Sequence, residues 1–204
     1  MTESKKAYSY LALGDSYTIG QSVLSSENFP NQTVQLLNQQ NYNFKSPEIL
    51  ATTGWTTDEL QNNINSHTFT PPYNFVSLLI GVNNQYRGRS VENYKPEFES
   101  LLKQAIQFAG GNANRVIVVS IPDWGVTPFA NGRDRAQIAK EIDDYNAANK
   151  YISVIYKVNY IDITPGSREA ATDLSLVAGD GLHPSAKEYA KWAQKVFAVI
   201  KQQL

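Results

Sequence analysis

Phe75-Val76-Ser77-Leu78-Leu79-Ile80 is an almost unbroken apolar run. A strand with one face in water alternates apolar and polar residues, so a run like this one needs cover on both faces. It constrains the chain more than any other stretch, because the sheet that holds it must be wrapped by helices on two sides. Strand-like runs at 8–14, 44–51, 75–80, 115–121 and 159–163 alternate with helical patterns. Pro30 suits an early helical position, and Val34, Leu36 and Leu37 give the helix through Gln40 an apolar side. A second helix spans about 94–109 and is stopped by Gly110-Gly111. A long one covers about 134–157, with Ile138, Ile142, Tyr145, Ile152 and Tyr156 at helical spacing. The last runs to the C-terminus, with Tyr189, Ala190, Ala193, Val196, Phe197 and Ile200 on one face. Pro47 cannot donate to a ladder, so 44–51 belongs at a sheet edge. The short run 159–163 carries Asp162 and suits the opposite edge. Strands alternating with helices predict a parallel sheet in a three-layer α/β/α sandwich.

Length and composition narrow the function. The 204 residues suit one domain, 1–204, and 42% hydrophobic content supports a proper core. A net charge of −1 provides no basic field, so neither nucleic acid nor an anionic membrane is expected as a partner. There are no cysteines, which excludes disulfides, thiolate metal sites and a cysteine nucleophile. No apolar run approaches membrane-spanning length, so no stable membrane insertion is expected. Residues 1–6 lead into the first strand without an apolar signal region. The expectation is a cytoplasmic protein, or one exported with a leader absent from this sequence. There is no internal repeat and no long linker.

The candidate chemistry lies where strands stop. The first ends at Gly14-Asp15-Ser16, which places a hydroxyl at the carboxyl edge of the sheet, where open α/β sheets bind ligands. The same residues are ordinary turn chemistry, with Ser16 as a plain helix cap. What separates the two readings is Asp180-Gly181-Leu182-His183-Pro184 near the other end. The chain has two histidines, and this one stands three residues after an acid. Pro184 biases His183 towards an extended backbone. Ester cleavage needs such a set: Ser16 to attack, His183 to take its proton, Asp180 to orient the imidazole and stabilise its charged form. The oxyanion needs preorganised donors. Candidates are the backbone N–H of Ser16, the backbone N–H of Gly54 and the side-chain amide of Asn83. Thr56 with Glu59 forms a capping box that starts a short helix directly after Gly54. Ser185 with Glu188 forms a second box before the final helix.

This set resembles the SGNH, or GDSL, hydrolase family. The first block of that family is similar to Gly14-Asp15-Ser16-Tyr17-Thr18, the second to the Gly54 turn, the third to Gly81-Val82-Asn83-Asn84 and the last to Asp180-Gly181-Leu182-His183-Pro184. The blocks stand in family order across nearly the whole chain. The resemblance implies a flavodoxin-like five-stranded sheet, serine esterase activity, no cofactor and no metal, and the roles given above. Tyr17 stands where the family's name has leucine, and Asn84 where an aspartate usually follows the asparagine. Asp123-Trp124-Gly125-Val126-Thr127-Pro128-Phe129 also resembles bacterial members described as lysophospholipase-like.

Other residues carry two readings each. Trp55, Asn84, Tyr86 and Trp124, with Phe129, line a substrate pocket for an acyl group or sugar, or simply pack over the sheet edge. Arg87, Arg89 and Arg168 either meet an anionic substrate or are ordinary surface arginines. His67, in a polar loop, reads as solvent-exposed, and two distant histidines make no zinc site. Asp143-Asp144 reads as a solvated helix face, since adjacent helical residues diverge. No phosphate-binding glycine loop is present. The leading function is a serine carboxylester hydrolase acting on a small-molecule, carbohydrate or lipid ester. Short acyl groups are favoured because no long apolar lid is evident. Lysophospholipids and acyl thioesters are the alternative substrates, and acyl transfer to a sugar or alcohol is the alternative reaction. A non-catalytic binding module would be marked by loss of the serine, histidine or acid, and none is lost.

Overall fold

The computed structural model describes residues 7–204. The reading of a leader falls on residues 1–6, outside the described residues. β1 (Tyr10–Gly14), β2 (Glu48–Ala51), β3 (Phe75–Leu79), β4 (Val116–Val119) and β5 (Asn159–Ile161) form one parallel sheet in the order β2-β1-β3-β4-β5. This is the flavodoxin-like order. β1, β3 and β4 are buried along their whole length, as their unbroken apolar runs require. β2, which starts at Glu48, and β5, which starts at Asn159, are the half-covered edges.

The helices are α1 (Ser16–Ile19), α2 (Phe29–Gln39), α3 (Thr57–Ser66), α4 (Val82–Tyr86), α5 (Val91–Phe108), α6 (Arg135–Ile155), α7 (Thr164–Ser167) and α8 (Ala186–Gln202). Right-handed crossovers fix their sides. The step from β1 to β2 runs one way along the sheet and the later steps run the other way. That puts α2 on one face and α3, α5 and α6 on the other. α8 joins α2, with Trp192 against Phe29 at 6.2 Å between ring centroids. On the opposite face Tyr94 of α5 meets Tyr145 of α6 at 4.6 Å.

Two elements depart from the sequence expectation. α4 has no apolar period to announce it, and it begins at Val82, three residues after the end of β3. The Ser185–Glu188 box is only half made. Ser185 accepts the Glu188 N–H, but the Glu188 carboxylate turns inward to the Trp192 indole N–H at 2.8 Å and to Lys191. A buried carboxylate is held better by an indole donor and a cation than by a single backbone N–H.

Register places the chemistry. Gly14 lies opposite Ala51 on one side and Leu79 on the other. The three strands therefore end in line, and Ser16, Gly54 and Asn83 all follow within a few residues of that line. Among the described residues no helix is long and apolar enough to cross a membrane.

Candidate active site

Asp15, not Ser16, caps α1. Its backbone is extended and its Oδ1 accepts the Tyr17 N–H at 3.0 Å. Ser16 is thereby freed as the first helical residue, and its hydroxyl has no hydrogen-bond partner among the described residues. α1 closes after one turn at Gly20, whose N–H donates to the Ser16 carbonyl at 3.1 Å. The turn sits so close to the strand end that only glycine fits before it. A Cβ on Gly14 would lie 2.1 Å from Thr18 Oγ1 and 2.4 Å from the Leu79 carbonyl oxygen. Capping leaves the Asp15 Oδ2 buried without a partner. Burial pushes this carboxyl up to about 7, against the downward pull of the Tyr17 N–H.

The Asp180–His183 turn is built around one carboxylate. Asp180 Oδ1 accepts the N–H groups of Leu182 and His183, both at 2.9 Å. Its Oδ2 lies 2.6 Å from His183 Nδ1 and accepts the Ser22 hydroxyl at 2.7 Å. Burial alone would raise the Asp180 carboxyl, but the bonds from His183, Ser22 and the two backbone donors outweigh it. They hold it well below the usual carboxylate range. An ionised carboxylate only accepts, so Nδ1 carries a proton, and in the neutral imidazole Nε2 then holds the free lone pair. Ser22 reaches this oxygen from a left-handed backbone, φ 69°, that serine seldom adopts.

Ser16 and His183 open on one cavity of about 170 Å³, with no direct hydrogen bond between them. Gly54 and Asn83 line it as well. Gly54 has φ 87°, and no acceptor among the described residues takes its N–H or that of Ser16. Asn83, on α4, donates one amide hydrogen to the Trp55 carbonyl at 2.9 Å. That bond fixes the plane of the amide and leaves the second hydrogen uncommitted.

The expected pocket is partly redrawn. Tyr86 and Trp124 line the cavity, joined by Phe129, Tyr17 and Leu182. Trp55 does not; its ring packs against the hydrophobic core. Asn84 does not either. It is buried, with Oδ1 accepting the Thr57 N–H at 3.1 Å and Nδ2 donating to Thr57 Oγ1 at 2.6 Å. It works as a clamp on the start of α3, beside Gly54. Tyr17 and Leu182 neighbour Ser16 and His183 in sequence, which was a usable signal. Ser22 gave none.

The candidate arginines are all committed. Arg87 donates to the Gly54 carbonyl at 2.7 Å and pairs with Glu59. Arg89 pairs with Asp58, and Arg168 with the buried Asp123 and with Asp143. Asp144 pairs instead with Lys140, so the adjacent carboxylates do diverge. His67 is half-exposed and pairs with Glu48 at 3.0 Å. Among the described residues no three His, Cys, Asp or Glu side chains gather as a metal site.

Solved structures share this architecture. Over 96% of this chain and 99% of the other, TesA superposes with a TM-score of 0.75 at 15% identity. The psychrotrophic esterase EstA from Pseudoalteromonas sp., inhibited by monoethylphosphonate, gives 0.74 at 14%, covering 96% and 97%. The acetylxylan esterase Axe2 from Geobacillus stearothermophilus gives 0.74 at 17%, covering 95% and 94%. No curated protein sequence matches. Residues 12–191 match the GDSL-like lipase/acylhydrolase family. That span starts inside β1 and ends in α8, enclosing every strand end described above, so the chain belongs to the GDSL-like lipase/acylhydrolase family and is an ester hydrolase.

Proposed function

We propose that the chain is a serine carboxylester hydrolase for short-acyl esters, working through Ser16, His183 and Asp180. One observation carries this reading. The 2.6 Å contact from Asp180 to Nδ1 leaves Nε2 basic, and His183 lines the cavity that Ser16 opens on. Ser16 Oγ attacks the ester carbonyl carbon while its proton passes to His183 Nε2. Asp180 stabilises the imidazolium as it forms. The tetrahedral oxyanion is held by the N–H groups of Ser16 and Gly54 and by the free hydrogen of the Asn83 amide. His183 then returns the proton to the leaving alcohol. A water molecule, deprotonated in the same way, releases the acyl group as the acid.

The short acyl chain rests on volume. A cavity of about 170 Å³ resembles the ~150 Å³ apolar cavity that holds a benzene ring. It accommodates a few methylenes within its walls.

Treatment with an organophosphonate followed by peptide mass spectrometry should find the adduct on Ser16, and an adduct on another serine would sink the assignment. On p-nitrophenyl esters of graded length, kcat/KM should peak at acetyl to butyryl and fall by octanoyl. His183→Ala should nearly abolish turnover, and Asp180→Ala should leave more, because it orients the base without transferring a proton.

A further inference from the structure

The cavity wall made by Tyr86, Trp124 and Phe129 carries one more side chain. Its three rings touch one another, with centroids 5.4–6.3 Å apart. The Arg133 guanidinium carbon lies 5.1 Å from the centroid of Tyr86 and 5.3 Å from those of Trp124 and Phe129. One Arg133 nitrogen donates to the Tyr86 hydroxyl at 3.0 Å. Among the described residues Arg133 has no carboxylate partner, in contrast to Arg87, Arg89 and Arg168. The adjacent acid, Asp134, caps α6 through Oδ1, which accepts the Gln137 N–H, and does not pair with Arg133. Arg135, in the same segment, bonds only the Thr127 carbonyl and the Asn131 side chain.

Arg133, Tyr86 and Phe129 are exposed, so the guanidinium stands at the outer rim of the wall. The segment is also tied to the catalytic turn, since the Phe129 N–H donates to the Gly181 carbonyl at 2.9 Å. Arg133 does not itself line the cavity that holds Ser16 and His183, but it stands on three rings that do, and among the described residues most of its five side-chain donors have no partner. A planar fork of that kind matches a carboxylate or phosphate oxyanion.

We propose that Arg133 is a specificity residue that binds an oxyanion on the substrate, a carboxylate or phosphate placed beyond the scissile ester. The site selects anionic short-acyl esters over neutral ones. This rests on the ester-hydrolase reading of the same cavity.

Matched probes test it: 4-acetoxybenzoate and 4-acetoxyphenyl phosphate against the neutral methyl 4-acetoxybenzoate. At low salt the wild-type kcat/KM should favour at least one anion about five- to tenfold, a modest factor because the arginine is exposed. The larger of the two ratios identifies the oxyanion. The preference should shrink towards one between roughly 0.01 and 1 M ionic strength. It should also vanish in Arg133→Gln, while Arg133→Lys, which retains charge without the fork, keeps part of it. A wild-type ratio near one overturns the proposal, as does a preference that survives both Arg133→Gln and high salt. If Arg133→Gln melts early, the wild-type salt series and Arg133→Lys decide.

Anion binding can also be measured without turnover. Trp124 lies under Arg133, so its share of the emission of the three tryptophans, isolated by comparison with Trp124→Phe, reports titration with benzoate, phenyl phosphate and neutral benzamide. Anion-selective quenching lost in Arg133→Gln upholds the anion site even if no ester is cleaved, in which case only the hydrolase reading fails. Equal quenching by all three ligands overturns it.

Discussion

Asn83 and Asp15 are single residues whose surroundings make opposite demands. Asn83 has one amide hydrogen fixed on the Trp55 carbonyl and one free at the cavity. A donor aimed at charge that appears only in the transition state lowers the barrier without tightening substrate binding. Asn83→Ala should reduce kcat by about 10²–10³, roughly 2.7–4 kcal/mol, with KM little changed. A destabilised protein with normal turnover per folded molecule would remove Asn83 from the oxyanion hole. Asp15 is held near 7 by burial, whereas in the unfolded chain it titrates near ~3.9. Between about pH 4 and pH 7 the native state therefore keeps a proton that the unfolded state has lost. Stability contributed by this group falls as pH rises through that window, by an amount on the order of 4 kcal/mol. Asp15→Asn retains the Oδ1 acceptor for Tyr17 and cannot ionise. Its unpaired amide adds a cost that does not vary with pH, so the slope is the readout. Melting temperatures from pH 4 to pH 8 should move in the variant's favour as pH rises, and parallel curves would show that Asp15 does not titrate there.

At the scale of elements, the short pieces α1 and α4 and the Gly54 turn before α3 assemble the cavity, and a few hydrogen bonds set their positions. Thr57 has one hydroxyl hydrogen, which goes to Glu97, so its oxygen accepts from Asn84 Nδ2. An aspartate at 84 would face that oxygen with a second acceptor and add a charge close to Glu97. This is a physical reason for asparagine rather than aspartate at 84 in this chain. Asn84→Asp should lower stability by about 1–3 kcal/mol. Adding Glu97→Gln should recover much of the loss by lifting the repulsion and giving Thr57 a choice of partners. The double-mutant cycle measures it: additive effects would mean that Asn84 and Glu97 do not communicate through Thr57.

Across the whole molecule, a covered parallel sheet brings three loop ends to one edge, and the remaining loops deliver Asp180, His183 and the aromatic wall to the same place. Each step of the proposed reaction is assigned to a side chain or a backbone N–H, and none needs a Lewis acid. Exhaustive chelation should leave ester hydrolysis unchanged, and a large loss restored by zinc would contradict the scheme.

The sequence by itself determined the layers, the five strands and the two edges, because apolar periodicity reflects which faces must leave water. It also pointed to Ser16, Asp180 and His183, the proposed catalytic set. Each belongs to a motif only a turn long, and the Asp180–His183 contact spans three residues. Tertiary structure alone decided what depended on distant partners. Ser22 reaches Asp180 across 158 positions, and Asn84 reaches Thr57 across 27. Whether an arginine is free or spent depends on acids elsewhere in the chain. Arg87, Arg89 and Arg168, which local sequence leaves open to a substrate, are paired with acids, and among the described residues Arg133 is not. Local sequence records what a residue can donate or accept, while the fold decides which of those groups find a partner.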